Sequence, residues 1–539
     1  MRKKKKLVAI IVMLTMVVLV ILGIDFYKKI IKPLDMKMAN NKKIKFVADY
    51  SARDNKLVVE LDNPVSGNFE YKIDGLEEGY YYISAFATYD GNCDYCFLYG
   101  RPYIIDVGGG GDYPKTSVPV KEKQQVVVRG IKVKKDGYLV FGSRMSGGDD
   151  SKLSIHSFRV NRETNQDSQY NLLLGGALSR LNYVESTGAK FYDFDGSKKD
   201  PLDIMEANGI NFCRLELNNN PGKGRGDGKY YLPEGFQNQE DILKIAKRAK
   251  KHNFEIQLSF MLSDFWTYGI PEDFRKDIEG IKDEEEIVKI LEKDLYEYVK
   301  DTMQKMKEQD TVPKYVSIGN EMNGGFFLPY GDSSKNMPNL ARFINAGYRA
   351  VKEVSEDTKV VLHIACNADD VKWNGNGTGN WFFSLCEKNN VNYDVIGTSY
   401  YPFWAETLSV DDFTQWCNMM IRKFDKDILL MESGFNYRED TETGSRGQLS
   451  NMGYYEGKYD YSEEGQRDFM IELINGIKCV NDGRCVGSLY WDPIMVAGDG
   501  IGWSFKEYDD KVDSNVISNT TWFDFDHKAL KVFAAYKYN

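Results

Sequence analysis

At 539 residues the chain is too long for one ordinary core, which predicts a large domain with a smaller companion. A net charge of −10, with no basic cluster beyond the N-terminus, argues against nucleic-acid binding. The four histidines (His156, His252, His363 and His527) are too widely spaced for a zinc motif, so no cofactor is expected.

In chain order, the basic cluster Arg2–Lys6 comes first and is followed by Leu7–Ile24, apolar apart from Thr15 and Gly23. A helix of that length at ~1.5 Å rise spans roughly 27 Å, close to a bilayer core. The basic side stays cytoplasmic and the remainder is exported. No small-x-small cleavage site lies near Gly23, which favours an uncleaved anchor over a signal peptide for residues 1–24. The protein is therefore expected to be extracellular, either anchored to the outer face of the membrane or secreted. Lysine-rich residues 25–45 read as a tether. Residues 46–162 carry short alternating runs (KLVVEL, YYYISAFATY, QQVVVRGIKV, LSIHSFRV) between turn clusters, the pattern of an antiparallel β-sandwich. Cys93 and Cys96, like Cys479 and Cys485, are near neighbours, which leaves local bridges and free thiols both open.

From residue 170 to 539 apolar strands alternate with charge-rich helices. Strands are expected at Asn171–Gly175, Asn211–Leu217, Glu255–Phe260, Tyr315–Glu321, Lys359–Ala365, Tyr393–Tyr401, Asp427–Phe435 and Val486–Pro493. Helices fall between them, the last at Lys528–Tyr536. Eight such units predict a (β/α)8 TIM barrel, an α/β fold. Gly175-Gly176 does not supply the glycine-rich phosphate turn of a doubly wound sheet.

Function gathers at the C-terminal ends of barrel strands. Those ends carry Arg214, Asn320-Glu321, Tyr400-Tyr401, Glu432 and Trp491-Asp492. Glu321 would end the fourth strand and Glu432 the seventh, on opposite sides of the barrel, where two carboxylates can flank one glycosidic bond. One must stay protonated and the other ionised, so their surroundings must differ. Arg214 can hold a carboxylate charge, a hydroxyl from Tyr400 or Tyr401 can orient it, and Trp491 offers a flat floor for a sugar ring.

Further residues extend the pattern: Phe191-Tyr192-Asp193, Asn208–Asn211, Ser263–Trp266, Ile318–Glu321, His363, Ser399–Pro402, Tyr490-Trp491 and Phe523–Asp526. On these the chain resembles glycoside hydrolase family 53, the arabinogalactan endo-β-1,4-galactanases, over roughly residues 171–536. The resemblance implies Glu321 as acid/base, Glu432 as nucleophile and Asn320 as partner of the sugar 2-hydroxyl. It adds His363 and Trp266 to the substrate-binding set, and implies a galactan-type polysaccharide substrate and a monomeric enzyme. Departures accompany it. Ala177 and Ser259 stand where the family usually has Asp, Glu216 and Asn218 where it has Arg and Trp, and Met261 and Leu262 where it has His and Tyr. The calcium loop of some members is not recognisable in Arg438–Asn451, although Asp440 and Glu442 keep calcium open. The β-sandwich resembles accessory carbohydrate-binding modules, with Tyr80–Tyr82 and Tyr95–Tyr103 as aromatic candidates. Two alternatives stand beside the galactanase: the same chemistry on another β-linked polysaccharide, and a non-catalytic cell-surface glycan binder.

Overall fold

The computed structural model describes residues 57–162 mainly through their strands, and residues 172–536 apart from 225–226, 268, 366–367, 373–374, 402–408, 450–458, 479, 481–482 and 507–511. The basic cluster, apolar run and tether lie outside the described residues. Among those described, no helix is long and apolar enough to cross a membrane. Two compact units divide the chain at Thr164 and Asn165.

The first unit holds two four-stranded antiparallel sheets. One runs in the order Leu57–Glu60, Lys152–Arg162, Gly79–Asp90, Gln124–Val133. The other runs Glu70–Asp74, Tyr138–Gly147, Cys93–Arg101, Lys115–Ser117. Alternate residues Tyr81, Ile83, Ala85 and Ala87 are buried, as the period of two demands. Pairing shifts between Tyr81 and Ile83, a bulge that keeps Val126, Val128, Ile131 and Val133 all on the buried side. Side chains of both sheets, among them Ile83, Val128, Leu98 and Phe141, form one apolar cluster. Tyr81 and Tyr99 belong to the buried set, which removes them from the candidate sugar-stacking aromatics. Cys96 is buried, and the Cys93 side chain, the other half of the expected local pair, lies outside the described residues.

The second unit is a closed barrel of eight parallel strands: Leu173–Ala177, Phe212–Leu217, Glu255–Phe260, Tyr315–Ile318, Lys359–Ala365, Val395–Ser399, Asp427–Glu432 and Cys485–Tyr490. They pair in chain order, and the eighth closes on the first. Strands covered on both faces read as continuous apolar runs, which is why they stand out in the sequence. Leu173, Phe212, Tyr315, Val361, Val395, Leu429, Met431 and Leu489 fill the barrel interior. Helix starts are fixed by side-chain caps: Asn238 on the Asp241 N–H, Asp283 on the Glu286 N–H, and a reciprocal Ser409–Asp412 capping box. Asn211 adds a side-chain rung between the first two strands, its Oδ1 accepting from Leu174 N at 2.8 Å and its Nδ2 donating to Leu172 O at 3.1 Å.

The last expected helix is corrected. Lys528–Tyr536 forms only a 3-10 turn, Lys531–Ala535. Ala529 N–H is bound to Tyr192 O and Leu530 N–H to Trp522 O, so this chain is tied as extended backbone until the turn begins.

Candidate active site

The fourth strand ends at Ile318, and the chain then turns sharply through Gly319 (φ 90°) and Glu321 (φ 44°). A Cβ at Gly319 would meet Met322 Cε at 2.8 Å as well as adopt a disfavoured φ, so glycine is required there. A non-glycine residue at positive φ, as at Glu321, stores local strain of the kind found at functional sites. Glu321 Oε1 accepts from Ser399 Oγ at 2.6 Å, and Ser399 Oγ lies 2.9 Å from His363 Nε2. His363 is fully buried, and burial together with the Arg214 charge pushes its pKa well below the usual histidine value. A neutral imidazole donating through Nε2 completes a directed chain, His363 to Ser399 to Glu321.

Glu432 ends the seventh strand. Pairing with the sixth strand passes from Thr398–Leu430 to Ser399–Glu432, skipping Met431. Met431 joins the interior apolar layer, and the bulge brings Glu432, the next residue, to Arg214. The Arg214 fork is used on every side. Nη1 donates to Glu432 Oε1 at 2.6 Å, Nη2 to Asn320 Oδ1 at 2.5 Å and Nε to Ser259 Oγ at 3.0 Å. Tyr401 OH donates to Glu432 Oε2 at 3.2 Å. Tyr400 is placed differently, its ring stacked on Phe413 and its N–H bound to Glu432 O. Asn320, oriented by Arg214, is left with an unpartnered buried Nδ2.

One carboxyl oxygen each of Glu321 and Glu432 and a ring nitrogen of His363 lie within 4.8 Å of one another. That approach is the closeness of double-displacement glycosidases, whose carboxyls sit about 5–5.5 Å apart, rather than the roughly 6.5–9.5 Å of inverting enzymes. Burial raises both pKa values. For Glu432 the guanidinium of Arg214 opposes the rise, while Glu321 and Glu216 add to it. Two donors face Glu432 and one faces Glu321, so the charge of the pair settles on Glu432 and the proton on Glu321.

Aromatic rings form one side of the site. Trp491 is edge-on to Tyr401 at 6.3 Å and to Trp503 at 6.2 Å, and Trp266 packs on Trp503 at 5.2 Å. The buried Arg180 guanidinium lies over Tyr231 and Trp503. Ser399, Trp503, Arg180 and Glu216 received no role from the sequence. For Ser399 a signal existed, since it follows Val395 and Gly397 on the inward parity of its strand. Of the two carboxylates that keep calcium open, Glu442 accepts from Ser518.

A parallel eight-stranded barrel with one glutamate after its fourth strand and another ending its seventh, one on a hydroxyl and one on an arginine, defines a glycoside hydrolase of the two-carboxylate class. The comparisons with known proteins narrow that class. Residues 173–536 match the model of glycosyl hydrolase family 53, and the chain belongs to that family. It is 25% identical over 390 residues to the endo-beta-1,4-galactanase of Bacillus subtilis, covering 68% of this chain and 85% of that one. With the arabinogalactan endo-beta-1,4-galactanase of Cellvibrio japonicus it shares 26% identity over 371 residues, 66% of this chain and 91% of the relative. The Ignisphaera aggregans GH53 catalytic domain superposes with a TM-score of 0.60 at 26% identity, covering 68% of this chain and 96% of that domain.

Proposed function

We propose that the barrel is a retaining endo-β-1,4-galactanase acting on galactan or arabinogalactan, with Glu432 as nucleophile and Glu321 as acid/base. The observation that carries this reading is the close carboxyl pair with unequal donors. Glu432 attacks the anomeric carbon while Glu321 gives its proton to the departing glycosidic oxygen, leaving a glycosyl ester on Glu432. Water then attacks the same carbon, Glu321 takes the water's proton, and Glu432 departs as a carboxylate. Arg214 and Tyr401 hold Glu432 before attack and receive its charge again at the end. The free Nδ2 of Asn320 suits a sugar 2-hydroxyl, and Trp491 with Trp266 suits a ring face. The two-sheet unit is proposed as a carbohydrate-binding β-sandwich, and residues 1–24 as an export segment that leaves the enzyme outside the membrane.

A second substrate reading is favoured by one observation. Ser259, Met261 and Leu262 replace a carboxylate, an imidazole and a phenol beside the site, which suits another β-linked glycan. Product analysis on a panel of β-glycans separates the two. New reducing ends on β-1,4-galactan, absent in Glu321→Gln and Glu432→Gln, are expected. Cleavage of a different glycan alone would replace the substrate, and tight glycan binding without turnover would replace the enzyme by a binder.

A further inference from the structure

One guanidinium nitrogen in the barrel faces two carboxylates. Arg214 Nη1 lies 2.6 Å from Glu432 Oε1 and 3.2 Å from Glu216 Oε1. Phe212 belongs to the interior apolar layer, so Arg214 and Glu216, two and four residues on, face inward in successive layers toward the C-terminal mouth. Glu216 is fully buried, and neither of its oxygens accepts a hydrogen bond. Such a group is a poor stabiliser, because a well-packed apolar side chain of similar size does as well or better there. On the neighbouring third strand, Arg214 Nε meets only the uncharged Ser259, which hands on to Gln257 Oε1 at 2.9 Å. Among the described residues, the carboxylates ion-paired with Arg214 are therefore Glu432 and Glu216.

We infer that Glu216 is a positioning residue for the hydrolysis proposed above: it divides the charge of Arg214 between itself and Glu432, leaving the attacking carboxylate less neutralised. An undivided ion pair would hold Glu432 fast and quieten it, whereas a shared one orients it while keeping it basic. The inference rests on Glu432 being the nucleophile. The charged and titratable groups around Glu432 are Arg214 and Glu216 from the second strand, Glu321 from the fourth, His363 from the fifth, Tyr401 after the sixth and Asp492 after the eighth. Asp492 is itself buried within reach of Glu216, Arg180 and Arg214. Of these, Glu216 shares the nitrogen that Glu432 uses.

The test follows the Glu432 carboxyl directly, by carbon NMR of protein labelled at the glutamate carboxyl, in the wild type and in Glu216→Gln. A charge about 6 Å away moves a carboxyl by roughly half to two pH units between dielectric constants of 80 and 20, so a fall of about one unit is expected. The acid limb of kcat/KM on galacto-oligosaccharides should move down with it. The plateau kcat should fall about tenfold, and KM should stay within about twofold. Glu216→Asp, which keeps the charge but withdraws it by one methylene, should shift the titration only part of the way. A Glu432 titration unmoved within about 0.3 unit in Glu216→Gln, or moved further by Asp than by Gln, overturns the inference. Should Glu216→Gln fail to fold, the Asp variant decides: an unmoved titration overturns the inference and a partial fall supports it. Failure of the wild type to cut any β-glycan would instead sink the galactanase reading, and the NMR titration would still decide what Glu216 does.

Discussion

Replacing Ser399 with alanine removes one oxygen that serves two groups. Its hydroxyl donates to Glu321 Oε1 at 2.6 Å and lies 2.9 Å from His363 Nε2. A hydrogen bond from a neutral donor to a carboxylate favours the ionised form, so Ser399 pulls the Glu321 pKa down against the rise caused by burial. Such bonds are worth about 1.5–3 kcal/mol, or roughly one to two pH units at 1.36 kcal/mol per unit. Glu321 must be protonated to act as an acid, so the alkaline limb of kcat/KM should move up by about that much. The acid also loses its orientation, and kcat on an oligosaccharide should fall about tenfold, a fraction of the 10²–10⁴ that a placed acid contributes. With a nitrophenyl leaving group, which departs without a proton, most of that loss should vanish. His363 keeps a buried N–H without an acceptor, costing about 1–3 kcal/mol in denaturant unfolding. An alkaline limb that stays in place, or an equal kcat loss with both leaving groups, would refute the chain from His363 to Glu321.

Glu321→Gln and Glu432→Gln should each lower kcat by about 10²-fold or more on galactan, and only Glu321→Gln should recover with a nitrophenyl substrate. Arg214→Met leaves Glu432 and Glu216 buried without their guanidinium, a loss of about 3–5 kcal/mol measurable by denaturant unfolding. Burial raises the Glu321 pKa in the folded state, so the proton it keeps stabilises the fold at low pH. That contribution is complete below the unfolded value near 4.5 and is lost as pH rises through the raised folded value, and Glu321→Gln should flatten this slope of stability against pH. Asn211→Ala strips a donor and an acceptor from between the first two barrel strands and should cost about 2–3 kcal/mol, read as a lowered denaturation midpoint.

The barrel was legible because its strands are buried on both faces and therefore read as unbroken apolar runs. Glu321 and Glu432 stood out as carboxylates at the ends of such runs. What escaped the sequence depends on distant chain coming together. Arg180 is held by the carbonyls of Gly502 and Trp503, more than three hundred residues away, and no local pattern announces that return. Glu216 was visible only as an unusual residue, since its meaning lies in the nitrogen it shares. The two tyrosines after the sixth strand could not be told apart by type. Packing decides between them, stacking Tyr400 on Phe413 and turning Tyr401 to Glu432. The final helix failed because extended pairing with Tyr192 outcompeted its helical propensity.

Three consecutive residues, Ser399, Tyr400 and Tyr401, reach both carboxyl groups: one hydroxyl meets Glu321, the other meets Glu432, and the N–H between them holds the Glu432 main chain. The end of the sixth strand thus works as a common mount, and acid and nucleophile share one mechanical reference. A displacement there would disturb proton donation and attack together rather than in turn. Substitutions in this tripeptide should therefore combine with those at either glutamate less than additively, as parts of one moving piece.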